Sequence, residues 1–468
     1  MCVRSFECVR IGAVAMCMLV GATLPARTLA QNANREALRS EGAGWLEDRD
    51  RAEGIGIRVG DLELHPGFGA EVGYDSNVFY DDDGPQGSAL LRFTPHLLVS
   101  TLTGERRDDE GGGPPSDEAL EDGEGGEREG NPPSVAFRGG ISAGVYHYFE
   151  TAAKTNVGGD VDLRLVINPE RPFQLTLFES FGRTIRPFVE APAETSYARV
   201  RNDVGVDASF GTRGNILRGH LGYRFSADIF EDDIFSFATN LTHTIDAGGS
   251  WRFLPHTAQI YALDVAITSY TGDPGAAVTL LSPSVRMRMR WGINGAVTNT
   301  FSVLGIVGYA AGFYEDGDDY DSLIGQVEAR WQISPGTRLA VGYDRDFFNS
   351  YLGGFNRRDR GYLNLQLLVG GSFLLGVEGS AGLYEFGPVV SSMGGAPIGT
   401  TIDRTDIRLT ASLFAEYRFA DWLALNGTFR YAADITDYQF NFVRGTGPVI
   451  DPAEYQKMQA WAGVRAFY

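Results

Sequence analysis

The sequence predicts an all-β protein, a single transmembrane antiparallel β-barrel of about 18 strands behind a cleaved signal peptide. Three observations predict it. The chain opens with a basic and then apolar leader, it continues in long segments of two-residue periodicity, and it ends on a strand closing with Phe467-Tyr468. The expected location is the Gram-negative outer membrane.

The leader spans 1–30. Arg4 and Arg10 supply the basic start, 11–24 is the apolar run, and Thr28-Leu29-Ala30 offers a small residue for cleavage. A run so short, closed by Pro25, falls below the ~20 apolar residues of a spanning helix. Cys2, Cys8 and Cys17 all fall inside it, so a mature chain from Gln31 carries no cysteine. Disulfides, thiol catalysis and Cys-ligated metals are thereby excluded. No later stretch is long and apolar enough for a helix to span a bilayer. Lipid then leaves only a closed barrel, because every backbone polar group must find a partner within the protein.

The periodicity is plainest in 284–291, where Val285, Met287, Met289 and Trp291 alternate with Ser284, Arg286, Arg288 and Arg290. A strand sends these sets to opposite faces; a helix would scatter them. The same division recurs in 160–167, 199–209, 217–228 and 407–419, whereas 174–184 and 301–312 have no clear phase. The 60 glycines, a 43% hydrophobic share, 20 Tyr and 29 Phe suit strands with one lipid face, one wet face and aromatic girdles.

Strands are expected near 68–74, 88–103, 135–149, 157–168, 172–184, 196–210, 215–229, 239–253 and 257–270. The remainder fall near 278–292, 298–313, 321–333, 337–348, 359–370, 372–385, 404–419, 422–435 and 454–468. Counting back from the last strand, alternate connections are tight: Ala420-Asp421, Gly370-Gly371, Ser334-Pro335-Gly336, Asn294-Gly295, Leu254-Pro255-His256 and Asn168-Pro169-Glu170-Arg171. The others (436–453, 386–403, 349–358, 314–320 and 187–195) are longer and polar. Short periplasmic turns with longer outer loops are the asymmetry of bacterial barrels. Segment 104–133 breaks that rule. It holds eleven Asp or Glu against Arg106, Arg107 and Arg128, within a chain of net charge −20. It reads as a disordered acidic insertion, either a plain solvated loop or a dock for a basic partner or divalent cations. Residues 31–61 read as a polar periplasmic lead, which makes 62–468 the barrel.

Positive charge concentrates on the inward phases. The candidate pore-lining residues are Arg164, Arg201, Arg218, Arg224, Arg286, Arg288, Arg290, Arg408, Arg418 and Arg430. Arg92, Arg138, Arg199, Arg330 and Arg465 share the phase, with Asp160, Asp162, Asp203, Asp207, Asp264, Asp344, Glu328 and Glu416 as partners. Two readings stay open: a salt-bridge lattice that stiffens the wall, or an arginine ladder that guides an anionic or hydroxyl-rich solute. In the last strand, Gly463, Phe467 and Tyr468 are the expected barrel assembly signal, with Trp461 where a polar residue is usual.

No catalytic residue, cofactor or metal ligand is assigned. G-x-S-x-G, H-E-x-x-H and a P-loop do not occur, and His220 beside Arg218 and Arg224 reads as a wall residue. The acidic run Glu315-Asp316-Gly317-Asp318-Asp319-Tyr320-Asp321 reads as a solvated outer loop, with Ca²⁺ binding as the alternative. Net acidity argues against nucleic acid. The expected partners are outer-membrane lipid and the barrel assembly machinery.

Leu62-Glu63-Leu64-His65-Pro66-Gly67, followed by Gly73-Tyr74-Asp75-Ser76-Asn77-Val78-Phe79, resembles the opening strand of the outer-membrane barrel family described as "beta-barrel porin 2". Asp75 and Asn77 favour a tight turn above strand one, with Phe79 and Tyr80 expected at the membrane boundary. The resemblance implies a large barrel. For some members it also implies exopolysaccharide secretion alongside a periplasmic polysaccharide export protein. The expected function is therefore a pore for passive export of a surface polysaccharide, with a general or solute-specific diffusion porin as the alternative and a structural or enzymatic barrel behind both.

Overall fold

In the computed structural model, the structure describes residues 54–468 except 55, 61, 102–133, 151–154, 170–171, 185–197, 232, 273–280, 352–353, 391–400 and 445–446. The leader, most of the lead segment and the acidic insertion lie outside the described residues.

Eighteen antiparallel strands form the barrel. The first six are β1 (Leu62–Asp75), β2 (Ser88–Ser100), β3 (Val135–Tyr148), β4 (Thr155–Ile167), β5 (Phe173–Thr184) and β6 (Arg199–Gly211). Next come β7 (Leu217–Phe230), β8 (Asn240–Leu254), β9 (Thr257–Tyr270), β10 (Ser284–Thr298), β11 (Phe301–Tyr314) and β12 (Tyr320–Ser334). The last six are β13 (Thr337–Asn349), β14 (Phe355–Val369), β15 (Phe373–Phe386), β16 (Thr405–Ala420), β17 (Leu423–Ile435) and β18 (Tyr455–Phe467). Each pairs with its sequence neighbour, and β18 returns to β1 from Gly67↔Phe467 to Asp75↔Gln459. Closure removes both sheet edges, which is the condition for strands to sit in lipid. A short strand, Ile57–Val59, folds back on Leu62–Leu64 below β1.

The two faces separate as the alternation requires. Val72, Leu91, Ile141, Leu221, Ile267, Val307, Leu323 and Val464 point outward and are exposed. So do Leu177 and Tyr309, which settles the phase of β5 and β11. Phe173, Phe210, Trp251, Phe253, Trp331, Phe419 and Trp422 ring one rim, while Tyr74, Tyr223, Tyr309 and Tyr343 stand nearer the other. Beyond those tyrosines the outward face turns charged, with Asp321 on Tyr309 at 2.7 Å and Arg345 on Asp359 at 2.6 Å. An apolar band between aromatic girdles and a polar upper edge is the construction of a transmembrane β-barrel, the fold expected of an outer-membrane protein.

Two expectations need correction. Asn294-Gly295 is no turn. Both residues pair within β10, and the chain reverses at 299–300. The first strand begins at Leu62, six residues before the expected start. The short connection implied between the strands expected at 196–210 and 215–229 is found at 212–216, where Thr212 Oγ1 accepts the Leu217 N–H at 2.9 Å.

Candidate functional site

The inner wall has two unlike regions. At the seam, β1 and β18 meet beside β2, β16 and β17, and the inward polar groups are sealed together. Glu71, 2% exposed, accepts from Arg92 Nε at 2.6 Å and from Asn426 Nδ2 at 2.7 Å. Glu416 takes Arg465 at 2.6 Å and Arg418 Nε at 2.9 Å. The Gly463 position is fixed by this packing, because a Cβ there would lie 2.3 Å from Glu71 Cγ. Phe467 is buried under Arg465, 4.7 Å from ring to guanidinium, and Tyr468 is exposed. Trp461 is buried with Val78, Leu90, Tyr146 and Tyr148, and Arg92 stacks on its ring at 4.3 Å.

The turn above β1 closes the seam. Asp75 Oδ1 accepts the Asn77 N–H at 3.0 Å, the Asx geometry expected of this pair. Asp75 Oδ2 also accepts from Gln459 at 2.7 Å and Lys457 at 3.0 Å, and Lys457 Nζ donates to the Asn77 carbonyl at 2.7 Å. Phe79 and Tyr80 are not at the membrane boundary. Phe79 packs on the Trp461 cluster, and Tyr80 stands edge-on to Tyr455 with Lys457 over its ring. The loop 76–87 turns into the barrel because Asp75 and Asn77 hold it to inward residues of β18.

The second region is the wall of β6–β11. Cross-strand register arranges its inward side chains in rows. Beneath a row of Arg201, Asp228, Asn240 and Tyr270 lies a second row of Asp203, Ser226, Thr242, Thr268 and Ser284. Below it run Arg224, Thr244, Ala266 and Arg286, flanked by Gly205 and Gly312. The next holds Asp207, Gly222, Asp246, Asp264 and Arg288. A hydroxyl row, an arginine row and an aspartate row thus follow one another down the lumen.

A hairpin faces this wall. The last β12–β13 pair is Gly325↔Arg345, after which β13 leaves its neighbour. Phe347, on an outward phase, is nevertheless fully buried against Ala310 and Ile324, whose side chains point inward. The segment therefore lies inside the barrel. Asp346 reaches Arg290 at 2.7 Å and Arg288 at 3.4 Å, and Tyr351 meets the outer ends of β6 and β7. Tyr351 Oη donates to Asp228 at 2.7 Å and accepts from Arg199 at 3.3 Å, with its ring edge-on to Phe230. Burial and the Asp228 charge push this phenol well above its ordinary pKa, so it stays a neutral donor. β7 and β13 stand six strands apart, so the hairpin tip crosses the outer mouth.

The predicted pore-lining arginines divide accordingly. Arg201 pairs with Asp203 at 2.9 Å, Arg288 with Asp264 at 2.9 Å, and Arg290 with Asp346. Arg408 bridges Asp406 and Asp434 at 2.8 and 3.0 Å, and Arg418 pairs with Glu416. These five belong to the lattice. Arg164 stands opposite Arg138 and Phe178, and Arg430 opposite Ser412 and Gln459. Arg218, Arg224 and Arg286 form no salt bridge among the described residues; Arg224 lies 5.7 Å over Phe178, and Nε of Arg224 and Arg286 has no acceptor. Arg358 and Arg360, both on Asp344 at 2.8 and 2.9 Å, were not singled out from the sequence; Arg358 precedes the expected start of β14 at 359. Buried Arg404, on Asp406 at 2.7 Å, stands at the first position of the strand expected at 404–419 and was not singled out; the observed strand begins one residue later. In the acidic loop, Asp319 caps the Tyr314 N–H and Asp321 holds Tyr309, so these carboxylates serve the turn.

No protein-family model and no curated protein matches the chain, so the resemblance over residues 62–79 stands on those residues alone. Among solved structures, the chain is similar to Pseudomonas aeruginosa OccK2 (OpdF) in complex with glucuronate, at 10% identity over 86% of this chain and 98% of that one, TM-score 0.43. It is similar to OccAB4 of Acinetobacter baumannii at 8% identity over 86% and 98%, TM-score 0.43. The FrpB iron transporter of Neisseria meningitidis (F5-1 variant, apoprotein) matches at 9% identity over 88% and 82%, TM-score 0.45. These likenesses concern barrel architecture alone.

Proposed function

We propose that the barrel is a passive diffusion channel for small anionic, hydroxyl-bearing solutes. The observation that carries this reading is the set Arg218, Arg224 and Arg286, inward guanidiniums without a salt bridge among the described residues. Arg224 and Arg286 lie directly below the hydroxyl row Ser226, Thr242, Thr268 and Ser284. Guanidinium forks take carboxylates bidentately, and hydroxyls exchange hydrogen bonds with a sugar at little desolvation cost. A solute can then leave its hydration shell in steps, without one binding site deep enough to trap it.

The hairpin across the outer mouth favours small solutes over an extended polymer. Polysaccharide export, with its periplasmic partner, rests on the resemblance over residues 62–79 and yields to the diffusion reading on that ground. Planar-bilayer recordings test the proposal. The wild-type channel should show anion preference in a salt gradient, and glucuronate should reduce its chloride current. Arg224→Ala with Arg286→Ala should shift the reversal potential toward cations with folding intact. A channel equally selective with and without both arginines would overturn it.

A further inference from the structure

We propose that Asp207, His220 and Asp246 form a binding site for a divalent transition-metal ion of the zinc class in the inner wall. They come from β6, β7 and β8, and one ligand atom from each lies within 4.8 Å of the others. His220 Nε2 stands 3.0 Å from Asp246 Oδ2. Two metal–ligand bonds of about 2.0–2.2 Å meeting near 90–110° place their donors roughly 3.0–3.5 Å apart. The His220–Asp246 edge is therefore already at coordinating length, and a χ rotation of Asp207 completes the triangle.

The donor set names the ion. One imidazole with two carboxylates balances a dication and has no thiolate to favour a soft monovalent metal. Imidazole selects against Ca²⁺ and Mg²⁺, which prefer all-oxygen shells. The remaining coordination positions face the lumen, where water or a solute oxygen would fill them.

One further observation points to a ligand. Gly222 stands between the carboxylates in register, opposite Asp207 on one side and Asp246 on the other. A Cβ there would lie 2.6 Å from Asp246 Oδ2, so the glycine leaves the space in which that carboxylate turns toward His220. The His220 side chain is only 3% exposed, so its Nε2 is held against Asp246 rather than turned to bulk water. Arg288 and Arg290 are committed to Asp264 and Asp346, and Asp246, opposite Asp264, has no arginine partner among the described residues.

Cobalt(II) titration of the purified, untagged mature protein, first stripped with a chelator, tests this. Expected is a saturable visible d–d absorption at one Co²⁺ per barrel, bleached when Zn²⁺ displaces the cobalt. His220→Gln and the isosteric Asp246→Asn should each weaken binding by more than about 100-fold, beyond the 10–100-fold typical of losing a supporting group. Gly222→Ala should weaken it with all three ligands present. Heat-modifiable migration on gels confirms that each variant is folded; Asp207→Asn replaces any that is not. Metal held by surface carboxylates would survive every substitution. Absence of the absorption band, or equal Co²⁺ affinity in the variants, would overturn the site.

Discussion

The seam and the β6–β11 wall are built from the same residue types and use them in opposite ways. At the seam, Glu71, Glu416, Asp75, Arg465 and Lys457 are each 3% exposed or less and are joined in pairs or triplets. On the wall, Arg218, Arg224 and Arg286 remain half-buried without a salt bridge among the described residues. The difference teaches how to read charge inside a barrel. A sealed ion pair fixes geometry, because removing one partner strands the other in a dry place. An uncommitted guanidinium has no such partner to strand, and under the diffusion reading proposed above its hydrogen bonds serve a passing solute.

The comparison can be broken or sharpened by experiment. The largest effect is expected from deleting Phe467-Tyr468. Phe467 is buried beneath Arg465 and Arg418, and its N–H bonds the Trp422 carbonyl, so folded barrel recovered from membranes should fall to near zero. Normal insertion of the truncated chain would undercut both the seam and the proposed role of this terminus with the assembly machinery. Next comes Glu71→Ala, which leaves Arg92 and Asn426 facing a void and should cost about 3–5 kcal/mol in urea unfolding. If Arg224→Ala proved equally destabilising, the distinction between the two regions would collapse.

A smaller change should follow Tyr351→Ala. Losing a hydrogen bond to a charged partner, worth about 1.5 kcal/mol, raises the population of a detached hairpin tip roughly tenfold. Single-channel records should show more frequent transitions to a larger conductance, with Tyr351→Phe intermediate. The smallest effect concerns Arg183 and Glu231, at 2.6 Å beside the outer loop 231–239. The hydrogen bond from Arg183 holds the Glu231 carboxyl below its ordinary pKa. A depressed folded pKa contributes stability above the unfolded value, and that stability is lost as pH falls through the folded one. Both side chains are 35% exposed, so screening limits the contribution to about 0.2–0.5 kcal/mol. Glu231→Gln should flatten the acid side of the stability profile by no more than that.

Much of this architecture was legible because a period of two is hard to disguise. β9 was expected at its observed limits, and β13 and β17 within one residue. Failures came where a local signal competed with barrel stagger. Asn-Gly is the strongest short hairpin cue, yet Gly295 pairs with both Thr257 and Val303 because β10 must run on to meet β11. Asn299-Thr300 makes the turn. The seam was half visible: Gly463 was singled out, but its reason, Glu71, lies 392 residues earlier, the difference between the two positions. The hairpin across the mouth was not visible at all. Phe347 keeps the outward phase of its strand, and only the departure of β13 after Arg345 turns that face inward. Asp207, His220 and Asp246 come together only through the register of three strands, and no spacing along the chain announces it.

Lys457 has a use as a clock. Lysine occurs only at 154 and 457, and Lys457 is clamped between Asp75 and the Asn77 carbonyl once the first and last strands have joined. An amine-reactive reagent should modify it freely in the unfolded chain and hardly at all in the finished barrel. Peptide mapping of that one residue after timed pulses would follow ring closure separately from the growth of β-structure elsewhere. It would show whether the two ends meet last or serve as the template on which the other strands are laid.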